Sequence, residues 1–424
     1  MPERDESLTC LESRLMTTQR RPFQTRRHAP AFAGPPAIIL GGSSNAVSVA
    51  RSLGRAGVAV HALGDPKNQV RWSRHLGEFV AITGPDVQRK TLDWLTAGPR
   101  EGVILPCDDE GLELVARHRA ELTGLGYIAS EHDDEVLLGM LDKERTYELA
   151  RAADVATPFS MTLRADTVLD AVPPGFSFPC AVKPLQSHLL ARHLPGVKAL
   201  IANDEPELRR HMQLAASLNI DVMLTEIIPG PEGAFCSYYS YLDEEGQPLF
   251  HYTRHKLRQH PLPFGVASYA TNDRQPEAQQ IGLQFFQGVG LRGLGNVEFK
   301  RDARDGQLKL IECNSRFTAA DRHLWLCGLD LPLFVYNRLL GRPLPPMETR
   351  RYDIHFWHPL QDVRTFATAR RQGALTLRGW LRSVAHRQHF PVADIRDPMP
   401  TVGHHASLLA GWVRHAASSR GRSG

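Results

Sequence analysis

The alternation of apolar and polar positions predicts an α/β unit where the chain first becomes apolar. Ala37–Leu40 is a short apolar run that turns at Gly41-Gly42. Residues 43–53 then have apolar side chains at helical spacing, and Gly57 ends that helix before the apolar run 58–63. Strand, glycine turn, helix and strand in this order predict a βαβ unit.

This unit continues into a small domain. Residues 79–82 and 102–105 are further apolar runs that predict strands, and a helix is expected over 109–119. Strands that alternate with helices are typical of a doubly wound α/β domain, which we assign to residues 35–133.

The remaining segments have different patterns. Residues 134–345 are predicted to form an α+β domain that begins with a helix at 142–153 and has longer strands. Residues 1–34 are polar and basic and end in a Pro/Gly cluster, so we expect a disordered basic arm. Residues 346–424 are rich in Pro and Arg and weakly periodic. We expect a C-terminal appendage there, with helical segments, one of them amphipathic near 375–385, and a flexible tail.

Composition narrows the class of protein. The chain has 424 residues, too many for one hydrophobic core, and its 42% apolar and 23% charged residues are ordinary for a soluble protein. Its 50 basic and 46 acidic side chains give a net charge of +4, which offers no reason to expect nucleic-acid binding.

Cysteine usage and hydropathy indicate the compartment. The six cysteines are scattered without a Cys-x-x-Cys pair, which argues against a zinc site or a disulfide framework and for a reducing environment. No stretch approaches the roughly 18 apolar residues that span a bilayer, and no apolar segment follows the N-terminal arginines as in a secretory signal. We therefore expect a cytoplasmic protein without a transmembrane segment.

Polar residues concentrate on two predicted strands joined by an Asp- and Gly-rich turn. Glu298 lies on the first strand, and Glu312, Asn314 and Arg316 alternate along the second, so these three are expected on one face. Apolar neighbours indicate burial, where unpaired polar groups are costly unless something binds them. Two carboxylates and an amide oxygen suit Mg²⁺. The alternative is a cross-strand salt bridge of Glu298 or Glu312 with Arg316.

Two lysines are candidates for phosphate contact. Lys143 is at the head of a predicted helix, and Lys183 leaves an apolar strand directly before Pro184. The proline restricts the chain there, so the Lys183 ammonium can act as a fixed point charge for a phosphate. Each lysine taken alone is also compatible with an ordinary surface position.

A hinge after an apolar strand is the third candidate. Glu226 and Glu232 flank Ile228 in a segment that contains Pro and Gly. Such a hinge exposes main-chain groups that can read an adenine edge, and a nearby carboxylate can hold a ribose diol. A plain exit from a strand into a turn is the alternative.

One family has charged residues in this order. The series is Lys143, Lys183, Glu226, Glu298 and Glu312-x-Asn314-x-Arg316, and it resembles the ATP-grasp superfamily. Asp142-Lys143, Asn314-Ser-Arg316, residues 264–268 and Asp397-Pro-Met-Pro400 are similar to the D-aspartate-ligase-like carboxylate–amine ligases. The resemblance covers about residues 37–342. It implies a pre-ATP-grasp Rossmann-like domain followed by an ATP-grasp domain.

The resemblance also implies roles for these residues. Lys143 and Lys183 would contact the ATP phosphates, while Glu226, the main chain of Ile228, and Glu232 would bind the adenosine. The ligands of Mg²⁺, or of Mn²⁺ in its place, would be Glu298, Glu312 and Asn314. Arg316 would stabilise the transferring phosphoryl group or the tetrahedral intermediate, with Lys183 as the second catalytic residue.

The chain departs from the family at the lid over the phosphates. Residues 185–198 contain one glycine where the family has a Gly/Ser-rich lid. We expect side chains to replace the backbone donors there, namely those of Ser187, His188, Arg192 and Lys198. A degenerate lid without turnover is the alternative.

Two further segments leave alternatives open. A basic stretch at 254–260 is expected to follow a strand at 248–252. Within it, Lys256 and Arg258 are candidates for contact with the γ-phosphate or an acidic substrate, or they form a solvated basic edge. Gly41-Gly42 resembles a dinucleotide-binding turn only loosely, because the third glycine is absent. In the family this turn and residues 107–109 border the pocket for the acceptor substrate.

The sequence therefore predicts an ATP- and Mg-dependent ligase that joins a carboxylate to an amine through an acyl phosphate. Its partners would be small-molecule carboxylates and amines rather than nucleic acid, and a homodimer is left open. An inactive ATP-binding regulatory protein and an NAD(P)-dependent oxidoreductase, the latter suggested by Asp65 after the glycine turn, are the alternatives.

Overall fold

Three β-sheets organise the protein in its computed structural model, which describes residues 34–98, 101–130, 133–167, 176–185 and 199–407. The expected arm over 1–34, except Gly34, lies outside these residues. So do the tail from residue 408 and residues 186–198 of the expected lid, including Lys198. None of the described helices combines the length and the apolar character needed to cross a membrane.

The first sheet is parallel and has the order β3-β2-β1-β4-β5, which confirms the doubly wound α/β arrangement. Its strands are β1 (Ala37–Leu40), β2 (Val60–Gly64), β3 (Glu78–Ala81), β4 (Gly102–Pro106) and β5 (Tyr127–Ile128), and its helices are α1 (Ser44–Arg55), α2 (Val87–Ala97) and α3 (Asp109–Gly124). Alternate residues of β1 pack on opposite sides: Ala37 and Ile39 against α1, Ile38 and Leu40 against α2 and α3. Because both faces are covered, the central strands are apolar throughout.

The second sheet is small and antiparallel, with the order β6-β9-β7-β8. Two helices precede it, α4 (Asp134–Leu141) and α5 (Lys143–Ala152), and its elements are β6 (Ser160–Leu163), β7 (Cys180–Pro184), β8 (Leu200–Ala202), α6 (Glu205–Ser217) and β9 (Val222–Glu226). Leu208 and Met212 of α6 pack against Val182 and Leu224 of the sheet. This helix therefore closes one face of the small sheet.

The third sheet has seven strands in the order β14-β13-β10-β11-β12-β15-β16. Its elements are β10 (Phe235–Leu242), β11 (Tyr252–His260), β12 (Val266–Thr271), α7 (Pro276–Gly288), β13 (Gly293–Arg301), β14 (Leu308–Asn314), α8 (Asp321–Cys327), α9 (Leu331–Leu339), β15 (His355–Trp357), α10 (Pro359–Arg371), α11 (Leu377–Val384) and β16 (Gln388–His389). The basic stretch 254–260, expected to follow a strand, is itself part of β11. Its three cationic residues, Arg254, Lys256 and Arg258, are all buried.

The two faces of this large sheet have different partners. Tyr238, Val297 and Phe299 point to one side and pack with Phe285 and Phe286 of α7. Tyr239 and Tyr252 point to the other side, where they share a core with α1 and the first sheet. The aromatic end of that second face thus joins the sheet to the first domain.

The C-terminal segment differs from the expected appendage. β15 pairs with β12 and β16 with β15, so the chain beyond residue 346 extends the large sheet. Strands of three and two residues are too short to show a period in the sequence. The expected amphipathic helix near 375–385 is observed as α11.

A buried ion pair fastens the same segment to the first domain. Arg51 of α1 donates from Nε to Oδ2 of Asp397 at 2.9 Å, and each side chain is 1% exposed. The Ser73 hydroxyl and the Arg74 N–H also donate to the Asp397 carboxylate, at 2.8 and 3.0 Å. The Asp397 carboxylate therefore has both its counterion and its hydrogen-bond donors inside the protein.

Replacing Asp397 with Ala should lower the free energy of unfolding by about 3–5 kcal/mol, because the buried Arg51 guanidinium loses its counterion. Urea unfolding of the purified variant measures this change. Asp93→Ala is the control, since it breaks the exposed Arg89–Asp93 pair on a helix surface and should have little effect. Equal destabilisation by the two variants would contradict the anchoring role of Asp397.

Candidate functional site

One face of the large sheet carries charged residues in adjacent rows. In the first row, Phe235 of β10 lies between Lys256 of β11 and Lys300 of β13. The Nζ atoms of Lys256 and Lys300 are 4.3 and 4.9 Å from the centre of the Phe235 ring. Burial lowers the pKa of Lys300, and the Glu232 carboxylate opposes that shift. Two ammonium groups thus share the face of one aromatic ring.

The predicted metal ligands lie in the neighbouring rows. Glu298 of β13 faces Glu312 of β14, and Asn296 faces Asn314 one row further. The Lys256 ammonium is 2.7 Å from Oε1 of Glu298. Asn314 donates from Nδ2 to Oε1 of Glu312 at 3.0 Å, so its amide oxygen is not used in this bond. The structure therefore brings the three predicted ligands together.

The two carboxylates are electrostatically unfavourable as neighbours. Burial raises the pKa of Glu298, the Lys256 ammonium counteracts this, and the Glu312 charge raises the pKa further. A divalent cation between them would remove much of that cost, because an opposite charge favours the ionised form of a carboxyl.

The oxygens of these side chains fit Mg²⁺. Among the described residues, no group of three or more His, Cys, Asp or Glu side chains is arranged to hold a metal ion. Two carboxylates and one amide oxygen form an incomplete shell of hard ligands, which Mg²⁺ usually completes with water and substrate phosphates. Glu298, Glu312 and Asn314 thus remain the predicted metal ligands.

Lys183 brings the small sheet to this charged face. Its Nζ lies 5.0 Å from the centre of the Phe264 ring, in the connection between β11 and β12. Burial and then the Lys143 charge lower the pKa of Lys183 to about 8, whereas Glu312 opposes the shift. Lys143, Lys183 and Glu312 are therefore close enough to interact, as the predicted phosphate site requires.

Glu226 has a different environment from the one predicted. Its carboxylate accepts hydrogen bonds from the Phe159 N–H at 2.9 Å and from Arg304 at 2.8 Å. Arg304 also pairs with Asp302 in the turn between β13 and β14, and Lys309 reaches the same Asp302 at 2.6 Å. The Glu226 side chain thus ties the hinge to the turn, and this leaves the main chain near Ile228 as the candidate for adenine contact.

Glu232 retains an unused acceptor. It begins a short 3-10 helix, Glu232–Ala234, directly before β10. Its Oε2 is buried and has no hydrogen-bond partner among the described residues. A buried carboxylate oxygen without a donor is costly, so a ligand hydroxyl is a suitable partner. The predicted ribose contact of Glu232 stays a prediction that this geometry favours.

Arg316 lies beyond the end of β14, so it does not continue the alternation of Glu312 and Asn314. Its Nε donates to Oδ1 of Asp109 at 2.6 Å, and this bond links the large sheet to the start of α3. The alternative of a salt bridge to Glu298 or Glu312 is not observed within the described ranges, since Lys256 pairs with Glu298 instead. Arg316 therefore lies at the boundary between the first domain and the charged face.

Arg258 is turned away from the predicted substrate region. A β-bulge between Lys256 and Arg258 adds one residue to β11 and reverses the side on which Arg258 lies. The guanidinium then pairs with both carboxylate oxygens of Asp362 in α10, at 2.7 and 2.8 Å, and with the Ser383 hydroxyl. Lys256 remains in the site, whereas Arg258 anchors the C-terminal segment.

A crevice of about 530 Å³ lies at the carboxyl ends of β1, β2 and β4. Gly41 and Gly42 line it with positive φ angles of 66° and 84°, and a side chain at Gly41 would collide with the Asp108 carboxylate. Asp108 accepts the N–H groups of Gly42 and Gly111 at 3.0 and 2.8 Å. Open α/β sheets bind ligands at this point, where the strand order reverses.

Sequence reasoning assigned no role to Arg254 or Lys300. Both lie on the charged face, at positions that pair in register with β10. The signal was present as the i, i+2 spacing of Arg254 with Lys256 and of Glu298 with Lys300. It required recognising residues 254–260 as a strand.

The chain has relatives among known proteins, although no family model matches it. D-aspartate ligase of Enterococcus faecium is 26% identical over 253 residues, which cover 57% of this chain and 59% of that protein. D-alanine–D-alanine ligase of Chromohalobacter salexigens is 27% identical over 209 residues, or 46% of this chain and 58% of that protein. The chain spans less than two thirds of the length of either relative.

Solved structures resemble the fold more completely. N5-carboxyaminoimidazole ribonucleotide synthetase in complex with ADP matches with a TM-score of 0.58 at 12% identity, covering 77% of this chain and 82% of that one. An L-amino acid ligase from Bacillus licheniformis matches with a TM-score of 0.54 at 14% identity, covering 73% and 75%. At such identities the likeness concerns the fold.

The lowered pKa of Lys183 predicts a pH-dependent affinity for ATP. The ammonium is charged below about pH 8 and loses its proton above it, so affinity should fall by up to about tenfold per pH unit on the alkaline side. Calorimetric titration with Mg-ATP across this range measures the profile. Lys183→Arg keeps its charge and should flatten the profile, whereas Lys90→Met, at an exposed lysine, should not change it. Identical profiles for wild type and Lys183→Arg would contradict a phosphate contact.

Proposed function

We propose that this protein, which has the ATP-grasp fold and is related to the carboxylate–amine ligases of that superfamily, is an ATP- and Mg²⁺-dependent ligase that forms a C–N bond. One observation carries the proposal. Glu298 and Glu312 face each other beside Asn314. The Lys256 ammonium forms an ion pair with Glu298, and Lys183 interacts electrostatically with Glu312. Paired carboxylates with adjacent lysines suit a metal-bound nucleotide triphosphate.

The reaction follows from this distribution of charge. A substrate carboxylate oxygen attacks the γ-phosphorus of ATP, the bond to the bridging oxygen breaks, and ADP leaves. An amine nitrogen then attacks the carbonyl carbon of the acyl phosphate, inorganic phosphate leaves with the C–O electron pair, and the nitrogen loses a proton. When bound, Mg²⁺ neutralises charge on the phosphates.

The residues of the chain act before and during these steps. Lys143 and Lys183 hold the triphosphate as fixed cations, and burial of Lys183 strengthens its attraction to anions. Lys256, adjacent to Glu298, would stabilise the negative charge that increases on the γ-phosphate. Arg316, fixed by Asp109, stabilises the oxyanion that forms when the amine attacks.

The first substrates to test follow from the relatives. The two curated proteins are a D-aspartate ligase and a D-alanine–D-alanine ligase, so small amino acids are candidate substrates here. The crevice beside Gly41 and Asp108 adjoins the start of α3, the helix whose Asp109 pairs with Arg316, and we expect it to provide space for one of them. An assay of ADP release with panels of acids and amines tests the proposal. Binding of NAD⁺ with no acid-dependent ADP release would overturn it.

Glu312→Gln and Arg316→Ala should have different consequences. Glu312→Gln removes a charged metal ligand, so the Mg²⁺ concentration required should rise and ADP release should collapse. Arg316→Ala leaves the carboxylates in place, so Mg-ATP should still bind while ADP release with acid and amine falls by about 10² or more. Measurements of Mg-ATP affinity, ADP release and melting temperature separate the two effects.

Two controls belong to this pair of variants. Asp109→Ala removes the partner of Arg316, and a purely structural ion pair predicts the same outcome as Arg316→Ala. Glu148→Gln changes an exposed glutamate paired with Arg145 and should leave all three measurements unaltered. If Glu312→Gln and Arg316→Ala both melt early yet bind Mg-ATP normally while folded, their assigned roles are wrong.

A further inference from the structure

Arg254 lies in the row of the large sheet that contains the predicted metal carboxylates. It pairs in register with Ser237 of β10, which on its other side faces Glu298 of β13. The β-bulge in β11 begins beyond Lys256, so Arg254 and Lys256 keep the alternation and lie on the same face. The Arg254 side chain therefore belongs to the wall of the candidate site.

Arg254 is a buried cation that forms no direct ion pair with a described carboxylate, although its charge contributes to lowering the pKa of Glu298 in the same row. The residue is 9% exposed, and its Nε is buried with no hydrogen-bond partner in the part of the chain that the structure describes. The Arg254 charge also acts on His358: the burial of His358 and then the Arg254 charge lower the pKa of His358 to about 4. A buried charge without a direct ion pair is costly, so a site that retains one is suited to an anion that arrives with a ligand.

Lys256, Arg258 and Arg316 differ from Arg254 in that each has a carboxylate partner. Lys256 is 2.7 Å from Glu298, Arg258 is 2.7 Å from Asp362, and Arg316 is 2.6 Å from Asp109. Arg254 forms no such ion pair with any described carboxylate, and its nearest aromatic contact is the Phe356 ring at 5.8 Å. The guanidinium can thus form a direct ion pair with a group that is not part of the protein.

We propose that Arg254 binds a second carboxylate of the acid substrate, distinct from the one that is activated, and thereby selects dicarboxylic acids. This inference rests on the proposed ligase function. Positions 254 and 256 are about 7 Å apart along the strand, so an acid that reacts beside Lys256 and Glu298 extends a second group towards Arg254. A guanidinium pairs with a carboxylate through two charge-assisted hydrogen bonds, which a neutral amide reproduces only in part.

Matched acids test this role. ADP release is measured with aspartate, asparagine and alanine of both hands, and with succinate and butyrate, each with a panel of amines. Wild type should favour the dicarboxylate over its neutral counterpart by about 10- to 100-fold in kcat/KM, mainly through the KM for the acid. Arg254→Met should abolish that preference without changing Mg-ATP affinity or melting temperature. Arg254→Lys keeps the charge without the planar fork and should retain part of the preference.

The control is Arg274→Met, which removes an exposed guanidinium that lies over the Tyr352 ring outside the site. It should leave the acid preference unchanged. Wild type that uses acids without distinguishing these pairs overturns the role of Arg254 and leaves the ligase proposal standing. The same holds if Arg254→Met keeps the preference, or if it weakens Mg-ATP binding instead. Wild type that releases no ADP with any acid and amine overturns both proposals.

Discussion

The alternation of side chains along the strands of the large sheet is the constraint on which the rest of this structure depends. Residues two apart share a face, so β10 and β13 each send one set of side chains to α7 and another to the opposite side. On that opposite side, Tyr239 and Tyr252 lie at one end and Lys256 and Glu298 at the other. A single face thus anchors the first domain and carries the charged site.

The charged site carries an electrostatic cost that a bound ligand would reduce. Lys183, Lys300 and Glu298 all have pKa values shifted by burial towards their neutral forms, and like charges contribute to the shifts of Lys183 and Glu298. Phosphates reduce repulsion among the lysines, and a divalent cation reduces it between the carboxylates. In the proposed function, binding of Mg-ATP would therefore recover part of the cost of assembling these groups.

The C-terminal segment has a structural role that contrasts with the site. Arg258 and Arg51 each form a buried ion pair with an aspartate of this segment, Asp362 and Asp397 respectively. The Arg258–Asp362 pair fixes α10 against the large sheet, and the Arg51–Asp397 pair fixes the segment to the first domain. In each pair the two residues are more than one hundred positions apart in the sequence. Neither pair uses a carboxylate of the charged face.

Local patterns in the sequence determined strands such as β1, β13 and β14, the main helices and the order of the candidate residues. Burial along β1 and alternation along β13 and β14 are properties of short stretches, so Glu298, Glu312 and Asn314 were recognisable as a group. Only the tertiary structure decided which charges are already compensated. A one-residue bulge turns Arg258 towards Asp362, while Arg254 stays on the face that carries the site. Arg304, which lies in the turn between β13 and β14, forms an ion pair with Glu226. Ion pairs of this kind depend on distances between segments that are far apart in the sequence. The spacing of apolar and polar residues gives no information about those distances.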